Sequence, residues 1–279
     1  MRSVLVENFA RVSDPKHVAD HESVTALSPR CHVAVLKYPI LVRDHHDARY
    51  AIYFSPAADS PLYGFGSACL GRDVVTGAEL APPVVDGLTA ERWRHMTASP
   101  RRYGFHATLK APFRLAVNAS VDQLVASLDR FAARLDAFET APLKVTRISS
   151  FVALVLRDNS QLLSALASAC VRGFDTFRAP PSEQELARRR KESLTPRQLQ
   201  LLGSWGYPYV LEEWRFHMTL ATGLDRTETA GLCAALERIA APHCAAPLVV
   251  DAVCLFEQPA ENESFRLIRR FPFAGRGRA

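Results

Sequence analysis

The sequence predicts an α+β fold built from an internal duplication. Two five-residue strings, at 105–109 and 216–220, share the frame apolar-His-apolar-Thr-apolar. Each string is followed by a helical pattern and then by strand patterns that begin at an Ala-Pro-Leu sequence. A repeated order of strand, helix and strand pair indicates a duplicated structural unit. Both halves therefore carry the same arrangement, with a His-x-Thr string on a strand of each.

The composition is that of an ordinary globular protein. Of the 279 residues, 48% are hydrophobic and 23% are charged, so the chain can bury a sizeable core. No apolar run approaches the roughly 20 residues that cross a bilayer, and the N-terminus lacks a signal-peptide pattern. Six scattered cysteines without a Cys-x-x-Cys pair predict free thiols in a reducing compartment. We therefore expect a cytoplasmic protein with no membrane partner.

The charge balance favours an anionic ligand. The formal net charge is +5 and the sequence pI is about 9.0, which suits a phosphate ester. The excess is too small to establish nucleic-acid binding. The basic run at 188–191 is typical of a solvated helix face.

Elements of the first half follow from local patterns. Residues 1–48 carry no sustained amphipathic pattern and predict a poorly ordered extension, or a start upstream of the true one. Period-two and helical spacings then predict, in order, a strand at 50–54, a short helix at 61–70, the first His-x-Thr strand at 103–110 ending before Pro112, a helix at 120–135 and strands to residue 156. The stretch at 59–88 is otherwise expected to be loop.

The second half repeats this order after a helical connection. Helices are predicted at 160–173 and 182–202, then the second His-x-Thr strand, a helix at 228–240 and strands at 248–268. The predicted domain therefore spans 49–273, with lobes at about 49–158 and 205–273, a connection at 159–204 and a tail at 274–279.

Strand parity places the polar residues of each string on one face. Side chains alternate across a strand, so His106 and Thr108 point away from the core that receives the apolar residues between them. His217 and Thr219 do the same in the second string. Lys110 shares the face of the first pair and Arg215 that of the second. Two strings of equal parity predict one site made of two half-sites.

The residue types suit phosphodiester cleavage. Displacement at phosphorus needs a base for the nucleophile and an acid for the leaving oxygen, and histidine serves either role near neutral pH. Threonine hydroxyls can donate hydrogen bonds to the phosphate oxygens. A single His on a strand is more often a packing residue, and the pairing is what favours catalysis. Zinc is disfavoured because neither string has a second ligand at metal spacing and threonine is a poor zinc ligand.

The duplicated His-hydrophobic-Thr-hydrophobic pattern resembles the 2H phosphoesterase superfamily. The flanking stretches at 49–54, 65–73, 102–113 and 205–210 look like a bacterial branch of that superfamily associated with phosphonate utilisation. The resemblance covers about residues 49–273. It implies a bilobal, pseudo-two-fold fold in which each lobe is an antiparallel sheet with helices and both motifs meet in a cleft.

The resemblance also implies His106, Thr108, His217 and Thr219 as catalytic residues, without saying which His is the base. We add Tyr103, Lys110 and Arg215 as expected substrate-binding residues. The predicted activity is hydrolysis of a small cyclic or linear phosphodiester by a monomer that uses no metal or other cofactor. Two alternatives stay open: an RNA-end 2′,3′-cyclic phosphodiesterase or ligase-like enzyme, with Tyr63, Phe65, Tyr207 and Tyr209 stacking on bases, and a non-catalytic phosphate-ligand-binding protein.

Overall fold

The computed structural model describes residues 48–86, 88–190, 193–223 and 226–275, with backbone alone at 188, 190 and 226–230. The extension predicted at 1–48 lies outside these residues except for Ala48, which is buried. In the described part of the chain, every helix is too short or too polar to span a bilayer.

The described residues contain eight strands and seven α-helices. The strands are β1 (Arg49–Phe54), β2 (Ala107–Phe113), β3 (Phe138–Ile148), β4 (Phe151–Leu156), β5 (Met218–Thr222), β6 (Pro247–Val250), β7 (Ala252–Gln258) and β8 (Arg266–Pro272). The helices are α1 (Pro61–Leu70), α2 (Ala90–Arg101), α3 (Val121–Ala132), α4 (Gln161–Gly173), α5 (Glu183–Arg190), α6 (Pro196–Trp205) and α7 (Arg226–Cys244).

The strands form two four-stranded antiparallel sheets of matching design. The first sheet has the order β2-β1-β7-β8 and the second has the order β5-β4-β3-β6. In each sheet the strand that carries a His-x-Thr string, β2 or β5, lies at an edge. This symmetry confirms the predicted α+β class with a duplicated sheet-and-helix lobe.

The composition of the lobes differs from the sequence prediction. The first sheet pairs β1 and β2 with β7 and β8, and the second pairs β3 and β4 with β5 and β6. The boundaries at 49–158 and 205–273 are therefore wrong, because each half of the chain supplies two strands to each sheet. The predicted tail at 274–279 also begins within the folded part of the chain, since the amide of Ala137 donates to the carbonyl of Gly275 at 2.9 Å.

One continuous core joins the two sheets. It contains Ile52 and Phe54 of the first sheet together with Val152, Leu154 and Met218 of the second, all fully or almost fully buried. Helices cover this core from outside: α3 packs on β7 and β8, α4 on β2, α2 on β5 and α7 on β3. The apolar residues that alternate along the strands of both sheets therefore pack into one common core.

Helix α2 was not predicted, and the helix predicted at 182–202 is two helices. Helix α2 begins at the cap Thr89, whose side chain accepts a hydrogen bond from the amide of Arg92, but it is too polar to show a clear apolar stripe. Thr195 and Gln198 form a capping box that begins α6, with Pro196 in its first turn. These local signals separate α5 from α6.

Strand β2 begins and ends later than predicted. His106 immediately precedes it, and Pro112 lies inside it rather than ending it. Proline lacks the amide hydrogen that a central strand would use, but β2 is at the edge of its sheet, where that donor is dispensable. A register shift between β1 and β2, close to Lys110, interrupts the regular alternation of faces.

Candidate active site

The apolar and polar residues of both strings separate as predicted. Phe105, Ala107 and Leu109 are buried in the core, as are Phe216, Met218 and Leu220. The His and Thr of each string are only partly buried. The carbonyl of Phe105 accepts a hydrogen bond from the hydroxyl of Ser55 at 3.0 Å, which ties the first string to the end of β1.

His106 is oriented by the backbone two residues before it. Its Nδ1 lies 2.8 Å from the carbonyl oxygen of Gly104, and because a carbonyl can only accept, Nδ1 carries the proton. The neutral ring therefore presents Nε2 as its proton acceptor, with the hydroxyl of Thr108 at 3.4 Å. Gly104 has φ +78°, and a Cβ there would lie 2.7 Å from Cβ of Val74. Glycine is required at this position.

His106 also stacks on an aromatic ring that the sequence analysis missed. The rings of Tyr53 and His106 are 3.7 Å apart between centroids and inclined by 20°. Burial lowers the pKa of His106 to about 4, while the bond to the Gly104 carbonyl opposes this shift. The imidazole is therefore neutral at physiological pH. Sequence reasoning missed Tyr53 because only the register of β1 against β2, which places Tyr53 opposite Thr108, brings it to His106.

The second string repeats the same anchoring. Nδ1 of His217 lies 3.0 Å from the carbonyl oxygen of Arg215, again two residues earlier. Its ring lies 5.5 Å from the ring of Phe151. Burial lowers the pKa of His217, and the bond to the Arg215 carbonyl raises it. Both histidines therefore have their Nδ1 hydrogen bonded and their Nε2 left to accept a proton.

The two strings adjoin each other through a tryptophan. The indole nitrogen of Trp214, three residues before His217, donates to the carbonyl of Thr108 at 2.7 Å. The charge that His217 acquires on protonation also lowers the pKa of His106.

A cavity of about 340 Å³ opens beside the first string. Its lining includes Arg49, Tyr53, Tyr103, His106, Thr108 and Tyr207. Further along it is lined by the ion-paired Arg114 and Glu185 and by residues of α5 and α6. The expectation that Thr108 and Thr219 would line one cleft is not met by this cavity, because His217 and Thr219 lie outside its lining.

The three expected substrate-binding residues have different positions. Tyr103 lines the cavity, with its ring stacked on Phe265 at 5.2 Å and 6.3 Å from the ring of His106. Arg215 is exposed and outside the cavity lining, and its Nη1 donates to the carbonyls of Glu212 and Trp214. Its part in substrate binding stays a prediction.

Lys110 is a structural residue in this protein, which corrects the prediction that it binds substrate. Its ammonium is almost fully buried and donates at 3.0 Å both to Asp175 and to the carbonyl of Val171. Asp175 also pairs with Arg178. The register shift beside Lys110 breaks the alternation that placed it with His106 and Thr108.

Sequence reasoning also missed an arginine of the cavity wall. Nε and Nη2 of Arg49 donate to Oε1 of Gln258 at 2.8 and 2.5 Å. Arg49 belongs to one of the flanking stretches of the resemblance, and no short-range signal connects two residues so distant in the chain. Only the pairing of β1 with β7 brings them opposite each other.

The donor set suits acid–base chemistry. Across the described ranges, no cluster of three or more His, Cys, Asp or Glu side chains is placed to hold a metal ion. The two imidazoles can accept and donate protons through Nε2, and threonine hydroxyls such as that of Thr108, 3.4 Å from Nε2 of His106, can hydrogen-bond phosphate oxygens.

Comparison with known proteins finds curated proteins of similar sequence and solved structures of similar fold. The chain is 38% identical over 233 residues to a protein named ribose 1,5-bisphosphate phosphokinase PhnN from Janthinobacterium sp. (strain Marseille), covering 82% of this chain and 51% of that one. It is 34% identical over 223 residues to the protein of the same name from Laribacter hongkongensis (strain HLHK9), covering 79% and 51%. The chain thus spans about half the length of these curated relatives.

Two solved structures are also similar. Escherichia coli LigT complexed with 3′-AMP is 12% identical with a TM-score of 0.37, and a phosphoesterase is 13% identical with a TM-score of 0.35. Each comparison covers 81% of this chain and 98% of the other. The model of one family, described as "Protein of unknown function (DUF1045)", matches residues 108–266, which is more than half of the chain. The chain therefore belongs to the DUF1045 family.

Proposed function

We propose that this protein is a phosphodiesterase of the 2H phosphoesterase type, acting on a small phosphodiester without a metal ion. His106 and His217 act as a general base and a general acid on one phosphate. Thr108 and Thr219 donate hydrogen bonds to its non-bridging oxygens, where negative charge increases in the transition state.

The observation that carries the proposal is the repeated anchoring of the two imidazoles. In both strings Nδ1 bonds to the carbonyl oxygen two residues earlier, so both Nε2 atoms have the same chemical state. A histidine that only fills space needs no fixed tautomer. A proton-transfer group does, because the reacting nitrogen must face the substrate in one defined protonation state.

The lowered pKa values fit a reaction that begins with a neutral base. Burial keeps His106 unprotonated near neutral pH, and a charge on His217 lowers the pKa of His106 further. An anionic phosphate between the rings would favour protonation of one of them. The pair then holds one proton, with a base on one side of the phosphate and an acid on the other.

The cavity supports a small substrate. Its volume of about 340 Å³ is at the lower end of the range typical of small-molecule sites, roughly 300–1,000 Å³. A scissile phosphate at His106 would place the rest of the substrate in this cavity. The curated relatives are named for a ribose bisphosphate, so phosphodiesters of phosphorylated ribose, including those of phosphonate breakdown, are the first substrates to test.

An RNA-end enzyme is the second candidate, and burial weakens it. Of the four aromatic residues expected to stack on bases, Tyr63 and Phe65 are buried in the core. Tyr207 lines the cavity and Tyr209 is partly exposed. Burial therefore removes two of the four residues expected to stack on bases.

A substrate screen tests the proposal. Purified protein is incubated with EDTA and with ribose cyclic phosphates, nucleoside 2′,3′-cyclic phosphates, RNA with 2′,3′-cyclic ends and linear diesters of phosphorylated ribose. We expect turnover of a small diester in the presence of chelator. Activity that EDTA abolishes and a divalent metal restores would contradict metal-free catalysis.

The double variant His106→Ala/His217→Ala is the control for contaminating phosphatases. If wild type and this variant hydrolyse every diester at the same rate, the activity does not belong to the site. Binding of a phosphate ester without turnover would instead favour the non-catalytic alternative.

A further inference from the structure

Arg49 is held rigidly at the cavity wall by a buried amide. Gln258 is 1% exposed, and its Nε2 donates to the carbonyls of Glu261 at 3.1 Å and Glu263 at 2.7 Å. These two bonds fix the amide so that Oε1 faces Arg49 and accepts from both Nε and Nη2. The amide of Gln258 therefore orients the guanidinium at the cavity wall.

The partner of Arg49 orients it without cancelling its charge. The groups that Arg49 contacts in the described part of the chain are the neutral amide of Gln258 and the ring of Phe265, 5.8 Å away. A glutamate at position 258 would point one carboxylate oxygen at the carbonyls of Glu261 and Glu263, whereas the amide nitrogen of Gln258 donates to both. A buried amide thus supports an arginine whose positive charge is available to a ligand.

Two other arginines of the same cavity, Arg114 and Arg178, have carboxylate partners, and the guanidinium of Arg189 lies over the ring of Tyr207. Arg114 makes two bonds of 2.9 Å to Glu185, and Arg178 bonds both oxygens of Asp175 at 2.8 and 3.1 Å. Bidentate pairs of this kind satisfy both charge and geometry. Arg49 differs from Arg114 and Arg178, since it lines the same cavity but contacts no carboxylate among the described residues.

Three tyrosines line the same cavity as Arg49. Arg49, Tyr53, Tyr103 and Tyr207 all line the cavity. Burial raises the pKa of Tyr53, the neighbouring hydroxyls of Tyr103 and Tyr207 raise it further, and the charge of Arg49 opposes them. Tyr53 and Arg49 line the same cavity, and the raised pKa keeps the Tyr53 hydroxyl a protonated donor at neutral pH.

We infer that Arg49, supported by Gln258 and joined by the hydroxyls of Tyr53 and Tyr103, forms a subsite for a second anionic group of the substrate, in the first instance a phosphate monoester. This inference rests on the proposed function for the position of the scissile phosphate. The ring of Tyr53 stacks on His106 at 3.7 Å between centroids, so the subsite would adjoin the proposed position of the scissile phosphate. The substrate class is then a phosphodiester that carries a separate phosphate.

Calorimetric titration in about 0.15 M salt tests the subsite with two probes, adenosine 3′-phosphate and adenosine 3′,5′-bisphosphate. The bisphosphate adds one phosphate to an otherwise identical ligand. Because a charge-assisted arginine–phosphate contact is among the stronger polar interactions, we expect wild type to bind the bisphosphate about ten- to thirtyfold more tightly. Arg49→Gln should remove most of this advantage, and Arg49→Lys should restore only part of it.

Arg269→Gln is the matched control, because it removes the same charge from an exposed arginine that pairs with Asp129 away from the cavity. This variant should keep the bisphosphate advantage. Equal affinity of wild type for the two probes, no measurable binding of the bisphosphate, or an advantage that survives in Arg49→Gln would overturn the inference. Since binding is measured without turnover, a failure to hydrolyse any diester would count against the proposed function alone.

Discussion

Replacing Gly104 by alanine tests how the backbone before the first string fixes the orientation of His106. The residue has φ +78°, a left-handed conformation that an L-amino acid adopts at a cost of about 1–2 kcal/mol. Its carbonyl accepts the hydrogen bond from Nδ1 of His106 at 2.8 Å. A change in this peptide therefore acts on stability and on the imidazole together.

The local packing adds to the conformational cost. A Cβ on residue 104 would lie 2.7 Å from Cβ and 2.8 Å from Cγ2 of Val74, closer than carbon atoms pack. Val74 is buried in the cluster formed with Tyr53 and Phe256, so it has little room to move. Overpacking of a tight core costs about 1–3 kcal/mol. Gly104→Ala should therefore lower the free energy of unfolding by about 2–5 kcal/mol.

Gly77→Ala separates the two contributions. Gly77 has φ +77°, but a Cβ added there would meet nothing within 4 Å, so its substitution costs the conformational part alone, about 1–2 kcal/mol. Urea unfolding of both variants measures the difference. For Gly104→Ala we also expect kcat/KM to fall at least about tenfold, because a small displacement of a proton-transfer group is costly. A Gly104→Ala variant no less stable than Gly77→Ala, with unchanged kinetics, would refute this reasoning.

Two further predictions concern charge. Because burial lowers the pKa of His106 to about 4, the unfolded chain binds a proton below about pH 6.5 that the folded protein does not bind. The free energy of unfolding should therefore fall by up to about 3 kcal/mol between pH 6.5 and 4. In urea titrations of His106→Asn over the same pH range, this contribution to the fall should be absent. Lys110→Met should lower the free energy of unfolding by about 2–4 kcal/mol, because it deprives the partly buried Asp175 of one cation while Arg178 remains. A Lys110→Met protein of wild-type stability by urea unfolding would restore the prediction that Lys110 serves the substrate.

The repeated elements of the fold were predictable because they are local. Period-two alternation indicated the inward and outward faces of both strings, and the apolar residues 105, 107 and 109 are buried as expected. Strand β1, helix α1 and helix α3 lie within a few residues of the predicted positions. Serine caps reinforce these helix boundaries, at Ser60 and at Ser120.

Long-range pairing was not predictable in the same way. The exchange of strands between the two halves depends on β7 adding to β1 and β6 adding to β3, across more than 100 residues each. No local pattern specifies such a partner, because antiparallel pairs of similar composition are close in energy until the core forms. The predicted lobe boundaries failed for this reason.

The sequence alone singles out the candidate proton-transfer groups, but not the side chains that support them. His106, Thr108, His217 and Thr219 stand out by repetition, whereas the stack on Tyr53 and the bond between Arg49 and Gln258 arise from neighbouring strands. Lys110 shows the opposite case, in which parity pointed to the site and a register shift buried the side chain instead.

The central claim, that one histidine is a base and the other an acid, is tested most directly by changing the leaving group. Loss of a ribose hydroxyl from adenosine 2′,3′-cyclic phosphate needs a proton, whereas p-nitrophenolate leaves bis(p-nitrophenyl) phosphate without one. With EDTA present, His106→Ala and His217→Ala should each lower kcat on the cyclic phosphate by about 10²–10⁴. On the nitrophenyl diester one variant, lacking the acid, should recover most of its activity while the other does not. Equal losses on both substrates, or full activity of either variant on the cyclic phosphate, would contradict the assignment.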